Sequence, residues 1–151
     1  MSGSGVALLV SSDFPPVSGG QSRYLFDLWS GFPPDQVVVL APALPGDATV
    51  DAGLSCEVVR TRLPLADGIL NKAGKVALLL RQAGRLCRRR QVGQIHCGQV
   101  FSAGFVGWVC SRRFRAVRYF PYVHGADLLE FRDRFPWGWM LRRILGGAER
   151  V

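Results

Sequence analysis

The chain has 151 residues, of which 48% are hydrophobic and 20% charged, a balance that suits one domain with its own core and excludes a disordered segment. Its longest apolar runs, such as Val6 to Val10 and Val37 to Ala41, fall well short of the roughly 20 residues that cross a bilayer, and Met1 to Gly5 lacks the basic and apolar stretches of a signal peptide, so the expected location is the cytoplasm. The formal charge of +8 favours anionic partners: phosphorylated substrates, a lipid headgroup surface or nucleic acid.

The first expected element is a buried strand over Val6 to Ser12, ended by the turn-rich Asp13-Phe14-Pro15-Pro16-Val17-Ser18-Gly19-Gly20. Tyr24, Leu25, Leu28 and Trp29 then recur at helical spacing, and Gly31 and Pro33 stop that helix. Val37 to Leu40 is a second buried strand, rich in β-branched residues. Ala41 to Gly53 reads as a loop, and Cys56 to Arg60 as a short, weaker strand. Residues 72–90 follow helical periodicity, with Val76, Leu79, Leu80, Ala83 and Leu86 or Cys87 on one side and Arg81, Arg85, Arg88 and Arg89 on the other. Gln94 to Cys97 is a further short strand. Phe101, Phe105, Val106 and Val109 mark the apolar stripe of a helix ending near Arg113. Tyr119 to Val123 is strand-like and leads into His124-Gly125-Ala126-Asp127. Pro136 opens a last helix whose core face is Trp137, Met140, Leu141, Ile144 and Leu145, with Gly146-Gly147 as its stop. Arg150-Val151 reads as the approach to another strand.

Alternation of strand and helix predicts an α/β, Rossmann-like parallel sheet with helices on both faces, as a single domain over residues 1–151. In such sheets ligands sit beyond the carboxyl ends of the strands. Three segments meet there on this reading: Asp13 to Gln21, Cys97 to Phe101, and His124 to Asp127. Gly19 and Gly20 lead into a helix whose free N–H groups and positive end favour phosphate. The pattern is neither G-x-G-x-x-G nor Walker A, which disfavours generic dinucleotide or ATP binding, and an ordinary strand-to-helix turn is the competing reading. His124, at a strand tip, has the chemistry to bond a sugar hydroxyl or phosphate, and Asp127 to accept from a hydroxyl. His96, inside a strand, reads as structural. Cys56, Cys87, Cys97 and Cys110 form no C-x-x-C pair, and with only two histidines the chain offers no zinc pattern, so the thiols read as buried small hydrophobes.

These segments, in this order, resemble the family-four glycosyltransferases of GT-B fold. The opening VALLVSSDFPPVSGGQSRY (residues 6–24) is similar to that family's first strand, D/E-x-P-P-type loop, glycine pair and aromatic-bearing helix. Gln94-Ile95-His96-Cys97-Gly98 resembles its D-(V/I)-(I/V)-H strand, Tyr122 to Asp127 its H-G-x-(D/E) turn, and RRILGGAERV (residues 142–151) the segment leading to its next strand. The resemblance implies the N-terminal, acceptor-side half of a two-domain retaining enzyme that moves a hexosyl group from a nucleotide sugar to a glycan or lipid-linked acceptor, with no metal and no other cofactor. It implies that Gly19 and Gly20 approach the donor diphosphate, that His124 contacts the transferred sugar as the catalytic residue, and that Asp13, Gln21, Gln99 and Asp127 contact the acceptor. The family's C-terminal half, with its basic phosphate ligands and paired glutamates, is absent, so the chain is expected to be incomplete at its C-terminus and inactive alone. Pro121 departs from the pattern by falling within the strand before His124, where proline removes a ladder donor.

Two other readings stay open. The domain is alternatively a non-catalytic binding module that works with a separately encoded partner half. Residues 131–143, with aromatics interleaved among Arg132, Arg134, Arg142 and Arg143, suit an anionic membrane surface, against the plain reading in which Trp137 and Met140 pack in the core. Nucleic acid is disfavoured, because no binding motif is present and the aromatics follow core periodicity.

Overall fold

The computed structural model describes residues 5–64 and 68–149, with the side chains of 69, 126 and 127 outside that description. Five strands, β1 (Val6–Val10), β2 (Val37–Pro42), β3 (Glu57–Thr61), β4 (Val92–Cys97) and β5 (Arg118–Pro121), form one parallel sheet in the order β3-β2-β1-β4-β5. β2 is buried throughout and β1 over its last three residues, which fits central strands covered on both faces, while β3 and β5 at the edges are partly exposed. The order reverses between β1 and β4, which opens a crevice at the carboxyl ends of those two strands.

One face carries α1 (Gly20–Ser30), whose Leu25 and Trp29 pack on Leu9, Val37 and Val39. The other carries α3 (Ile69–Arg90), α4 (Ser102–Arg113) and α6 (Trp137–Gly146), with Leu79, Ala83, Ala103, Val106, Leu141 and Ile144 against Leu8, Val10, Leu40 and Ile95. Two short helices, α2 (Asp47–Asp51) and α5 (Gly125–Phe131), complete the described elements.

The structure departs from the sequence reading in four places. The Ala41 to Gly53 loop contains the end of β2 and all of α2, because Gly46 turns left-handed at φ 89° and the Asp47 carboxylate accepts the Leu44 N–H at 3.1 Å; five residues are too few to register as a period. The inner face of α4 is not led by its aromatics. Ala103, Val106, Gly107 and Cys110 are buried, while Phe101, Phe105 and Val109 are half-buried. A Cβ on Gly107 would lie 2.6 Å from Cys97 Sγ and 3.0 Å from Tyr119, so the helix sits closer to the sheet than any side chain at that position allows. The residues after His124 form α5 rather than a plain turn. Pro121 ends β5 without cost to the ladder. The Tyr122 N–H bonds Cys97 O at 2.8 Å, so the neighbouring nitrogen of Pro121 faces the sheet edge. On that edge Tyr119 O accepts the Glu149 N–H at 3.1 Å.

The aromatic-basic segment at 131–143 divides. Trp137 packs edge-on against Phe101 and Phe131, with centroids 5.8 and 6.3 Å away, and Met140 is half-buried. Phe135 and Trp139 remain exposed, at 89% and 53%.

Candidate functional site

The carboxyl ends of β1, β4 and β5 are tied by a small polar network. Ser11, fully buried, receives the Asp13 N–H at 3.1 Å and the Gln99 Nε2–H at 3.0 Å on its Oγ. Gln99 Oε1 accepts from Ser12 N at 3.0 Å and Ser12 Oγ at 3.2 Å. The Gln99 carboxamide thus spans the loops after β1 and β4 and is largely committed to holding them.

Gly98 follows β4 and donates its N–H to Val10 O at 2.8 Å. A Cβ there would meet Ser11 Oγ at 2.8 Å and Leu25 at 3.0 Å, so only glycine fits between β1 and α1. Its carbonyl is the meeting point of the site. Gln21 Nε2, from the first turn of α1, donates to it at 2.5 Å, and His124 Nε2, from beyond β5, lies at 3.2 Å. A carbonyl only accepts, so His124 carries its proton on Nε2, and Nδ1 of the neutral ring is an acceptor. One oxygen with two lone pairs therefore fixes two side chains that are 103 positions apart in the sequence.

Gln21 and His124 line an open depression of about 840 Å³ with Gly20, Tyr24, Tyr122 and Leu128. Gly19 caps α1 at φ 144°, ψ 157°, a conformation essentially confined to glycine. No side chain caps the helix, so its first N–H groups keep the positive end of the dipole uncovered. A Cβ on Gly20 would meet nothing within 4 Å. The backbone explains the first glycine and no described neighbour explains the second.

A second hollow, of about 360 Å³, lies on the other side of Gly19, lined by Ser18, Arg23, Phe26 and Thr49. Its wall is held by Arg60, at the end of β3. The guanidinium bonds Pro42 O at 2.9 Å, Pro15 O at 2.8 Å and Asp51 Oδ1 at 2.6 Å, and lies 5.6 Å from the centre of the Phe14 ring. The sequence reading passed over Arg60, whose only local signal is a charge in a strand that is otherwise half-buried.

His96 lies behind the depression, stacked on Phe120 at 5.0 Å and edge-on to Trp29 at 5.1 Å. Burial lowers its pKa from 6.5 to about 4. The neutral ring accepts from Tyr122 Oη on Nδ1 at 3.0 Å and donates from Nε2 to Gln94 Oε1 at 3.3 Å. It orients Tyr122, whose own pKa burial raises. Cys97 is fully buried, and burial pushes its thiol strongly up, which leaves it unreactive.

Among the residues named from sequence, the structure brings Gly20, Gln21 and His124 onto one rim, while Gly19 lines the second hollow. Asp13 is half-buried at the end of β1, and Gln99 is held beneath the rim by the serines. The Asp127 side chain lies outside the described residues. Among those described, no cluster of three histidine, cysteine or carboxylate groups is placed to hold a metal.

No protein-family model matches the sequence, and no curated protein matches it by sequence. Solved structures do match. HepE from Anabaena, crystallised with UDP and glucose, superposes with a TM-score of 0.64 at 16% identity, over 95% of this chain and 36% of that one. Sucrose-phosphate synthase from Thermosynechococcus elongatus superposes with a TM-score of 0.62 at 15% identity, over 96% and 41%. Both are GT-B glycosyltransferases. The fold is that of one part of a GT-B enzyme. At these identities the likeness concerns the fold, and the chain spans about two fifths or less of either neighbour.

Proposed function

We propose that the chain is the acceptor-side, N-terminal domain of a glycosyltransferase that moves a hexosyl group from a nucleotide sugar to a glycan or lipid-linked acceptor, and that a second domain completes the site. The observation that carries this reading is the shared rim: Gln21 in the uncapped first turn of α1 and the imidazole of His124 both bond the Gly98 carbonyl and line one depression with Gly20, at the crevice where the strand order reverses.

On this reading a donor diphosphate lies against the N–H groups of Gly20 and Gln21, where helix polarity and close backbone approach replace a metal. The open space over Gly20 admits it. His124, held through Nε2, presents Nδ1 as an acceptor for a hydroxyl of the transferred sugar. By the family resemblance Asp13, Gln21 and Asp127 contact the acceptor, and Gln99, bonded to Ser11 and Ser12, positions the loops. Transfer with retention of configuration and dependence on the second domain belong to the same proposal. A cytoplasmic location belongs to the same proposal.

The test is direct. Titrating the isotopically labelled chain with UDP-glucose is expected to shift the amides of Gly20, Gln21 and Ser22 and the His124 ring, while those of α3 stay still. In the protein joined to its second domain, His124→Ala is expected to lower kcat by about 10- to 100-fold, the size of one lost hydrogen bond in the transition state, with a melting temperature only a few degrees lower from loss of the bond to Gly98 O. Full activity in a folded His124→Ala variant would remove His124 from the mechanism.

A further inference from the structure

The charge of this protein is not spread over its surface. On one sheet face α3, α4 and α6 contain eleven lysines and arginines and no acidic residue, out of 19 basic residues in the chain, while the short α5 packed beside α6 contains Asp127 and Glu130. The helices beside the other face, α1 and α2, contain one arginine and three aspartates. The asymmetry centres on α3, which has seven basic residues along 22 positions, a rod about 33 Å long. Lys72, Arg81, Arg85, Arg88 and Arg89 are exposed, as are Arg112, Arg113, Arg142 and Arg143 on the neighbouring helices. Among the described residues, Arg90 of the eleven forms a contact ion pair, with Glu57, and Arg142 lies within electrostatic reach of Asp133.

Helix polarity accounts for the cations in the last turns. It does not account for Lys72 and Lys75 in the first two turns of α3, where a cation opposes the dipole, or for Arg81 and Arg85 in the middle. We propose that this helical face is a docking surface for the anionic headgroups of a phospholipid membrane. In this face α3 and α4 pack on the sheet, α3 through Leu79, Ala83 and Leu86, and α6 packs beside α4. The chain has no recognisable nucleic-acid-binding motif, and the face carries no row of exposed aromatics on which single-stranded bases stack. It matches a plane of negative charge. Exposed Leu70 on α3 and Trp139 on α6, at 85% and 53%, supply apolar groups for the headgroup boundary. The proposal rests on charge distribution and is independent of the glycosyltransferase reading.

The experiment is co-sedimentation of the chain with vesicles of phosphatidylcholine alone or with 30% phosphatidylglycerol, at low and high salt. Binding is expected only to the anionic vesicles, with loss at 500 mM NaCl. Arg85→Glu changes the face by two charges and is expected to weaken binding about 25-fold, at about five-fold per charge. The matched control, Arg62→Glu at the end of β3, is expected to change it less than three-fold. A blue shift of tryptophan fluorescence on anionic vesicles that is lost in Trp139→Ala would support the seating of that side chain. No binding at low salt, equal loss in the two charge variants, or tighter binding to single-stranded RNA than to anionic vesicles at the same salt would overturn the proposal.

Discussion

At the scale of single residues, the two glycines before α1 do different work. Gly19 holds a backbone conformation that other residues reach only at a cost of about 1–3 kcal/mol, so Gly19→Ala is expected to lower the stability of the chain by that amount in chemical denaturation. Gly20 has ordinary backbone geometry and open space around it. Gly20→Ala is therefore expected to fold with stability up to about 1 kcal/mol above the parent and to lose nucleotide-sugar affinity in the two-domain protein. A Gly20→Ala variant that binds normally would place the diphosphate elsewhere. His96 makes a separate prediction. Its folded pKa, about 4, lies below the ordinary 6.5, so the unfolded chain takes the proton first as pH falls. Stability from the neutral ring is complete above pH 6.5, declines between 6.5 and 4, and falls no further below. The loss is at most about 3 kcal/mol, from 1.36 kcal/mol per pKa unit. His96→Asn, which keeps an acceptor for Tyr122, is expected to flatten this part of the pH profile of the melting temperature.

At the scale of elements, Arg60 joins β3 to the ends of β1 and β2 and to α2. Its side chain is only 11% exposed, and its removal leaves the Pro15 and Pro42 carbonyls and the Asp51 carboxylate without their donor. Arg60→Met is expected to cost about 2–4 kcal/mol and to raise amide exchange in residues 13–19 and 47–51 while leaving α4 protected. Within α3, Arg81, Arg85 and Arg89 are like charges at i, i+4 spacing, each pair destabilising by roughly 0.2–0.5 kcal/mol. Arg85→Glu turns both pairs attractive and is expected to raise stability by about 1 kcal/mol, read from the denaturation midpoint. The variant that weakens vesicle binding is thus expected to fold better than the parent.

At the scale of the whole molecule, the parallel architecture was legible because period and punctuation agree from Val6 to Gly147. Buried runs rich in β-branched residues lie between amphipathic stretches, with glycine or proline at most boundaries. The place of the candidate site followed from that architecture, since a parallel sheet puts all its carboxyl ends on one side. α2 and α5 are too short to show a period, and α4 buries its small residues because close approach to the sheet outweighs the hydrophobicity of its aromatics. The concentration of charge on one face has a consequence for the folded state. Screening its self-repulsion is expected to raise the melting temperature by a few degrees between 50 and 300 mM NaCl.

Local sequence determined the strands, the long helices, the glycine-led start of α1 and the excess of positive charge, because each depends on neighbours within a few positions. Tertiary structure alone decided which groups meet. The Gly98 carbonyl that pins Gln21 and His124, the clasp of Arg60 and the joining of three helices into one basic face all unite residues far apart in the chain. Strand order sets such distances, and no local pattern encodes them.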